Sequence, residues 1–526
     1  MKGLRAPEVL ALVALVGLLA GCGGSDNDDG DRAPPSGDAA APPPTTRGSL
    51  IVNPPTRLQS LTADQLVALV TAQTGGADLL ELITAPKCGI DVHQLQYNTV
   101  DPTDQPTTAS GGLFIPTGAD PACQGGRPIV VYTHGTQVEK DFNIANLNDT
   151  DNVEGLLMSV AFAAQGYIVV APNYAGFDTS TLPYHPFLNA DQSSKDTADA
   201  LAAARSALPT ATAPNVTDGG KLFITGYSQG GYVAMATHRL LQQTGVAVTA
   251  AAPMSGPYAL AAFADAVFEG QVVNSTPLFL AYLIPGYQRA YGNIYSATTD
   301  VFEPRYATTI ETLLPTTDTR SQLVSEGKLP ADQTFNSTPP APEFAAFTPA
   351  TTPADLAFVF ARGFGPDPLI TNAYRLGYLQ DALANPDGGF PTLTDNRPAA
   401  NPTNPLRVAF KRNDLRDWLP TSPVLLCGGH DDPTVLYMNT ELIASYWSAN
   451  GATAPIKVLD VDGRPSIGDE FAGTQLAFAA AKAAVAAAAV AGGASDGGAE
   501  AVAAAYHAGL VPPFCLAEVS SFFAAH

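Results

Sequence analysis

A glycine-bounded serine lies near the middle of the 526-residue chain. Residues 226–231 read Gly-Tyr-Ser-Gln-Gly-Gly, after a short apolar run and before a helical pattern. In such a strand-turn-helix segment, small residues two positions before and after the serine permit a strained turn that exposes its hydroxyl. The first turn of the helix then brings unpaired N–H groups close to the reacting carbon. Ser228 is therefore the candidate nucleophile.

A nucleophilic serine needs a histidine base and an acid that orients this base. In strand-turn-helix hydrolases these residues follow along the chain in the order serine, acid, histidine. Residues 428–435, Gly-Gly-His-Asp-Asp-Pro-Thr-Val, follow an apolar run and supply Asp432 as the preferred acid, with Asp431 as the alternative. Beyond them lie only His507 and His526, and a terminal residue such as His526 is usually frayed. We therefore predict His507 as the base.

Two backbone N–H groups are candidates for an oxyanion hole. A β-branched run that ends in His134 and a glycine is followed by Thr136. This run is typical of a buried strand, and sites in parallel sheets form at the carboxyl ends of strands. We predict that the N–H groups of Thr136 and Gln229 bind the oxyanion. The side chains of His134, His185 and His430 are interpreted as structural.

Strand and helix patterns alternate through the first half of the chain, which predicts a mostly parallel sheet with crossover helices. The alternation stops at residues 261–418, which contain many apolar and proline residues. Ordinary connections between strands are far shorter, so this segment is predicted to be a cap. Its apolar helices would form an acyl-binding wall and a lid. Residues 472–505 are rich in alanine and predict one or two further helices.

The composition limits partners and location. A formal charge of −23 argues against a nucleic-acid partner. Residues 1–21 have two basic residues before a short apolar run, which is typical of a secretory signal. The run ends in Leu-Ala-Gly before Cys22, like a bacterial lipoprotein processing site, so lipidation of Cys22 is expected. The alternative is an ordinary cleaved signal and a secreted protein.

Export into an oxidising compartment favours disulfides among the other cysteines. Apart from Cys22, the chain has four cysteines, which allow three pairings. The preferred pairing is Cys88–Cys123 and Cys427–Cys515. The second bond would tie the end of a strand to a C-terminal loop, but the sequence leaves the other pairings open.

With these motifs in order, the chain resembles the α/β-hydrolases and, more narrowly, the secretory lipase family, which includes fungal lipase A. The resemblance covers residues 61–523 and rests on Asn-Tyr-Ala-Gly-Phe at 173–177, Tyr-His-Pro-Phe at 184–187, the serine motif and the large insertion. It implies hydrolysis of carboxylic esters through an acyl-serine, without a metal or an organic cofactor. The residues that it carries over are Ser228, Asp432 and His507.

These observations predict a signal peptide at 1–21, a flexible tether at 22–48, a hydrolase core at 49–260 and 419–526, and a cap at 261–418. The expected protein is a monomeric esterase or lipase that acts on an ester or lipid substrate. A lipid on Cys22 would hold it at a membrane of the bacterial cell envelope. Two alternatives are a serine peptidase of the same fold and a non-catalytic surface lipoprotein that binds ligands.

Overall fold

The computed structural model describes residues 46–72, 82, 84–149, 152–212 and 215–526. The predicted signal peptide, Cys22 and most of the tether lie outside these residues. The centre of the described chain is a nine-stranded sheet in the order β1-β2-β3-β5-β4-β6-β7-β10-β11. Its strands are β1 Thr56–Leu61, β2 Gly89–Val100, β3 Pro106–Thr117, β4 Gly125–Thr133, β5 Ile168–Pro172, β6 Val216–Tyr227, β7 Ala250–Met254, β10 Val424–Gly428 and β11 Ile456–Asp460, while β8 Phe335–Asn336 and β9 Phe364–Gly365 pair separately.

Most of the sheet is parallel. Strands β5, β4, β6, β7, β10 and β11 run in the same direction, and β1, β2 and β3 form an antiparallel edge. Every residue of β5, β7 and β10 is buried, as expected for strands covered by helices on both faces. This arrangement confirms the predicted fold class. It also brings the carboxyl ends of β4, β6 and β10 to one edge, where the candidate residues follow.

The helices cover both faces of the sheet and build the cap. Helices α3 and α4 pack on one face, and α1, α2 and α15 on the other. The α-helices with described bounds are α1 Ala63–Ala72, α2 Val153–Ala161, α3 Ala190–Ala211, α4 Gln229–Gln243, α5 Leu260–Phe268, α6 Thr276–Tyr291, α7 Pro304–Ala307, α8 Arg320–Ser325, α9 Ala357–Arg362, α10 Asn372–Ala384, α11 Pro405–Arg412, α12 Met438–Ala449, α13 Ala472–Ala491, α14 Ala499–Ala505 and α15 Val511–Ala524.

The segment between β7 and β10 contains α5 to α11 and the small β8-β9 pair. An apolar cluster joins its helices to residues of the core. Two buried arginines also hold it together: Arg407 pairs with Asp265 and Asp381, and Arg416 pairs with Asp387 and Asp414. The side chain of Arg416 is 0% exposed, so removal of both acids would leave an uncompensated buried charge.

The C-terminal region differs from the sequence-based expectation in one respect. We expected Cys515 to lie in a C-terminal loop, but the structure has a π-helical turn, Tyr506–Leu510, that joins α14 directly to α15, and Cys515 lies in α15. Two prolines follow this turn, yet the first helical positions tolerate proline because their N–H groups need no intrahelical partner. Both preferred disulfides are formed, Cys88–Cys123 and Cys427–Cys515. The second joins β10 to α15.

Candidate active site

Ser228 lies at a sharp turn between β6 and α4. Its backbone has φ 59° and ψ −122°, a region that a residue with a side chain rarely adopts. The two flanking glycines are required by close packing, since a Cβ on Gly226 or Gly230 would collide with Thr133 of β4. The Thr133 hydroxyl in turn donates a hydrogen bond to the Gly230 carbonyl at 2.7 Å. The crowding of these backbones therefore keeps the Ser228 hydroxyl at the edge of the sheet.

The three candidate catalytic side chains form one hydrogen-bonded chain. The Ser228 hydroxyl is 2.8 Å from His507 Nε2, and His507 Nδ1 is 2.6 Å from Asp432 Oδ2. The Asp432 side chain is 1% exposed, and its other oxygen accepts the N–H groups of Thr434 and Val435 at 2.9 and 3.0 Å. These bonds orient the carboxylate toward the imidazole. The structure thus brings together the three residues that the sequence suggested.

The alternative acid, Asp431, points elsewhere. Its carboxylate pairs with Lys482 of α13 at 3.1 Å, while its N–H group contacts the Tyr506 hydroxyl. The same hydroxyl donates to Asp462 at 2.8 Å, and Lys482 also contacts Asp462. This network joins α13, the loop after β11 and the loop after β10 to the residue before His507. The long alanine-rich segment therefore helps to position the histidine.

A residue of β6 also holds the π-helical turn that contains His507. The Tyr227 hydroxyl donates a hydrogen bond to the His507 carbonyl at 2.5 Å. Because Tyr227 directly precedes Ser228, this bond couples the nucleophile turn to the base. His430 lies outside this arrangement, where its Nδ1 contacts Asp460 at 2.9 Å.

The candidate oxyanion donors border the same cavity as Ser228. Thr136 and Gln229 both line it, at the end of β4 and the start of α4 respectively. Gln229 is held through its side chain, whose Nε2 is 2.6 Å from His185 Nε2, while His185 Nδ1 is 3.0 Å from the Ala175 carbonyl. Burial lowers the pKa of His185 to about 3, so a neutral imidazole can accept from the amide. His185 therefore supports Gln229, a contact that the sequence did not suggest.

The loop around Thr136 is held by two side chains. His134 is buried between the Gly135 and Asn173 carbonyls, at 2.7 and 3.2 Å from its two ring nitrogens, and burial lowers its pKa to about 4. On the other side, the Gly135 N–H group donates to both oxygens of Glu154, at 3.1 and 3.0 Å. His134 is thus a structural residue of the loop, and Glu154 is a functional candidate that sequence reasoning missed.

Glu154 lies close to the candidate catalytic centre. It is in the first turn of α2, borders the cavity that contains His507, and accepts the Tyr132 hydroxyl at 2.8 Å. Loss of solvation raises the pKa of Glu154 from 4.5 to about 7, although its hydrogen bonds oppose this shift. The carboxylate anchors the peptide between His134 and Gly135, one residue before the peptide that carries the Thr136 N–H group.

The raised pKa of Glu154 predicts a pH-dependent contribution to stability. Between about pH 4.5 and pH 7 the unfolded chain loses this proton, while the folded protein keeps it, so folding becomes less favourable as pH rises. A Glu154→Gln variant lacks this ionisation but can keep one acceptor for the Gly135 N–H group. The free energy of unfolding of the wild type, relative to this variant, should therefore fall from pH 5 to pH 8. Urea unfolding of both proteins at pH 5 and pH 8 measures this difference in free energy. A difference that stays constant or rises with pH would contradict the prediction.

Two cavities meet at Ser228. The smaller, of about 60 Å³, has apolar walls from α5 and α6, together with Thr136 and Gln229. The larger, of about 640 Å³, also borders Ser228, but it includes His507 and several polar side chains of the cap. The predicted role of the cap as an acyl-binding wall fits the smaller cavity. An ester bound across Ser228 could place its two halves in these two spaces.

The comparisons with known proteins agree with the fold. A model of the prolyl oligopeptidase family matches residues 157–276, from within α2 to the start of α6. The structure of LipA from Xanthomonas oryzae, described as a rice cell wall degrading esterase, is 26% identical with a TM-score of 0.60, over 82% of this chain and 95% of that chain. Candida antarctica lipase A is 14% identical with a TM-score of 0.46, over 78% of this chain and 76% of that chain. A comparison with curated proteins gives no significant match.

The chain therefore has an α/β-hydrolase fold of the type found in esterases and lipases. With a serine at the nucleophile position of this fold, it is a serine hydrolase. The matched family segment covers the nucleophile turn and its neighbouring helices, which esterases and peptidases of this fold share. The family match alone therefore does not distinguish ester from peptide substrates.

Proposed function

We propose that the protein is a serine esterase that cleaves carboxylic esters with short acyl chains. The observation that carries this proposal is the hydrogen-bonded chain of Ser228, His507 and Asp432 at the junction of the two cavities. Similarity to LipA, whose description is that of an esterase, supports ester rather than peptide cleavage. Two statements stay predictions: that the protein belongs to the secretory lipase family, and that a lipid on Cys22 anchors it in a bacterial cell envelope.

The reaction would proceed in two halves. His507 Nε2 accepts the Ser228 proton while the serine oxygen attacks the ester carbonyl, and Asp432 stabilises the resulting imidazolium. The N–H groups of Thr136 and Gln229 stabilise the negative charge on the carbonyl oxygen, and removal of one such donor would raise the barrier by about 3 kcal/mol. His507 then gives its proton to the alcohol oxygen, which leaves. Water, deprotonated by His507, releases the acid and restores Ser228.

The size of the smaller cavity predicts a preference for short acyl groups. Its volume of about 60 Å³, against about 640 Å³ for the larger cavity, favours a short acyl chain, of about four carbons. Longer chains would have to displace packed cap side chains, at a cost of about 1 to 3 kcal/mol. With p-nitrophenyl esters, kcat/KM should be highest for acyl chains of about two to four carbons.

This series should be measured on a soluble protein that starts at about residue 47, beside its Ser228→Ala variant. At eight carbons or more we expect kcat/KM to be at least about 10-fold lower. An optimum at long chains would contradict the short-acyl proposal and favour a lipase. No release from any ester by the wild type would contradict ester hydrolysis altogether.

A serine peptidase is the second candidate, because the family segment at residues 157–276 is that of prolyl oligopeptidases. An N-blocked glycyl-proline p-nitroanilide tests it under the same conditions. Release of p-nitroaniline at a kcat/KM above that of the best ester would favour the peptidase.

A further inference from the structure

The position of His507 distinguishes the two cavities. After the serine attacks, the histidine must give its proton to the departing alcohol oxygen, so the alcohol has to lie on the histidine side. Only the larger of these two cavities includes His507, whereas the smaller includes Gln229, one of the oxyanion donors. The alcohol part of an ester would therefore occupy the cavity of about 640 Å³.

The cap supplies charged side chains to this larger cavity. Arg320 of α8 and Arg362 at the end of α9 both line it, and so does Asp332, while Glu154 of α2 borders it from the core. In contrast, the described residues that line the smaller cavity include no charged side chain. An apolar acyl chain thus fits one side of Ser228, and a polar group fits the other. A triacylglycerol, which has apolar chains on both sides of each ester bond, would leave these guanidinium groups without a partner.

Arg362 is held in a defined position relative to the candidate acid. Its Nη2 donates to the Asn274 side-chain oxygen at 3.2 Å, and the Asn274 N–H group donates to the Pro433 carbonyl at 2.8 Å. The guanidinium also lies 5.6 Å from the centre of the Phe358 ring. Because Pro433 directly follows Asp432, these contacts link the arginine to the loop that orients His507.

The two guanidinium groups keep unused hydrogen-bond donors. Arg320 is exposed, and its Nη2 donates only a long bond of 3.5 Å to the Ala331 carbonyl. Among the residues that the structure describes, neither arginine forms an ion pair with Asp332 or with any other carboxylate. A guanidinium binds a carboxylate or phosphate through two parallel hydrogen bonds, which neutral groups match less well.

We infer that the larger cavity binds an alcohol that carries an anionic group, a carboxylate or a phosphate, through Arg362 and Arg320. This inference rests on the proposed esterase function and specifies its substrate. The chain has a formal charge of −23, so an anionic substrate gains nothing from the overall field of the protein. Local guanidinium groups must supply the attraction, and they would raise kcat/KM mainly by lowering KM.

Matched pairs of esters test the inference. One pair is glycerol 1-butyrate and its 3-phosphate; the other is the butyrate ester of methyl glucoside and that of methyl glucuronoside. Wild-type protein should show a kcat/KM at least about 10-fold higher for the charged member of a pair, and the preference should shrink as salt is added. A preference in the phosphate pair alone or in the uronate pair alone identifies the anion. Equal kcat/KM within both pairs would overturn the inference.

Arginine variants locate the effect. Arg362→Gln and Arg320→Gln should each raise KM for the charged ester by about 10-fold, with a smaller change in kcat. Lys328→Gln is the matched control, because it removes the same charge from the cap at a residue paired with Asp318 and Glu326, away from the cavity. It should leave KM for the charged ester unchanged, and an equal rise in this control would contradict a local site.

The exposed Arg320 variant keeps the test valid if Arg362→Gln does not fold. A failure of this inference can also be separated from a failure of the proposed function. If the neutral esters are cleaved by the wild type and not by Ser228→Ala, the esterase stands whatever the charge preference. If no ester of either pair is cleaved, the proposed function itself fails.

Discussion

Replacing Ser228 with alanine is expected to reduce kcat for p-nitrophenyl butyrate by about a million-fold. The Ser228 oxygen is the atom that would carry the acyl group, and it lies 2.8 Å from His507 Nε2. Alanine offers no oxygen for the attack and no proton for His507 to accept. The residual activity of the variant would come from the oxyanion donors and from substrate binding alone. Stopped-flow or long steady-state assays test the loss of kcat. Labelling with an organophosphonate tests whether the reactive serine is Ser228.

The same exchange should hardly change the free energy of unfolding. The positive φ of 59° strains serine and alanine alike, and the hydroxyl contributes one partly exposed hydrogen bond. Ser159→Ala is a matched control, since among the described residues the hydroxyl of this buried serine of α2 bonds only to the Gly155 carbonyl, at 2.7 Å. Its kcat should stay within about twofold of the wild type. A Ser228→Ala variant that kept more than about a thousandth of the wild-type kcat would contradict an acyl-serine on Ser228.

Much of the fold could be predicted because its signals are local. Buried parallel strands such as β5 and β10 are continuous apolar runs, and the glycines around Ser228 mark a turn between a strand and a helix. The order of the motifs along the chain then suggested Asp432 and His507. Asp432 could be preferred over Asp431, but only the packing of α13 shows that Lys482 pairs with Asp431.

The residues that the sequence did not reveal act through contacts distant in the chain. Glu154 meets the Gly135 N–H group because α2 packs beside the end of β4, and no local pattern distinguishes it from a solvated glutamate in a first helical turn. The π-helical turn at His507 was not predicted either, since the sequence suggested a C-terminal loop in this region. Tyr506 and Tyr227 hold this turn through bonds to Asp462 and to the His507 carbonyl, which depend on the folded chain.

Asp432→Asn is expected to lower kcat by about 10⁴-fold while the protein stays folded. Asp432 Oδ2 accepts the His507 Nδ1–H bond at 2.6 Å, which leaves the lone pair of Nε2 free to accept the Ser228 proton. The asparagine oxygen can still accept the Thr434 and Val435 N–H groups, so its amide group would face His507. An amide donates to Nδ1, which moves the histidine proton to Nε2. The base is then blocked, and the imidazolium loses its counter-charge.

The neighbouring Asp431→Asn provides the control for this prediction. It removes the same charge one residue away, but Asp431 contacts Lys482 rather than His507, and an ion pair of this exposure contributes about 1 kcal/mol or less. We therefore expect its kcat to change only a few-fold. Measurement of kcat and of the melting temperature for both variants separates catalysis from folding. If Asp432→Asn caused a large fall in melting temperature, or if the two variants lost equal activity, Asp432 would have a structural role rather than that of the triad acid.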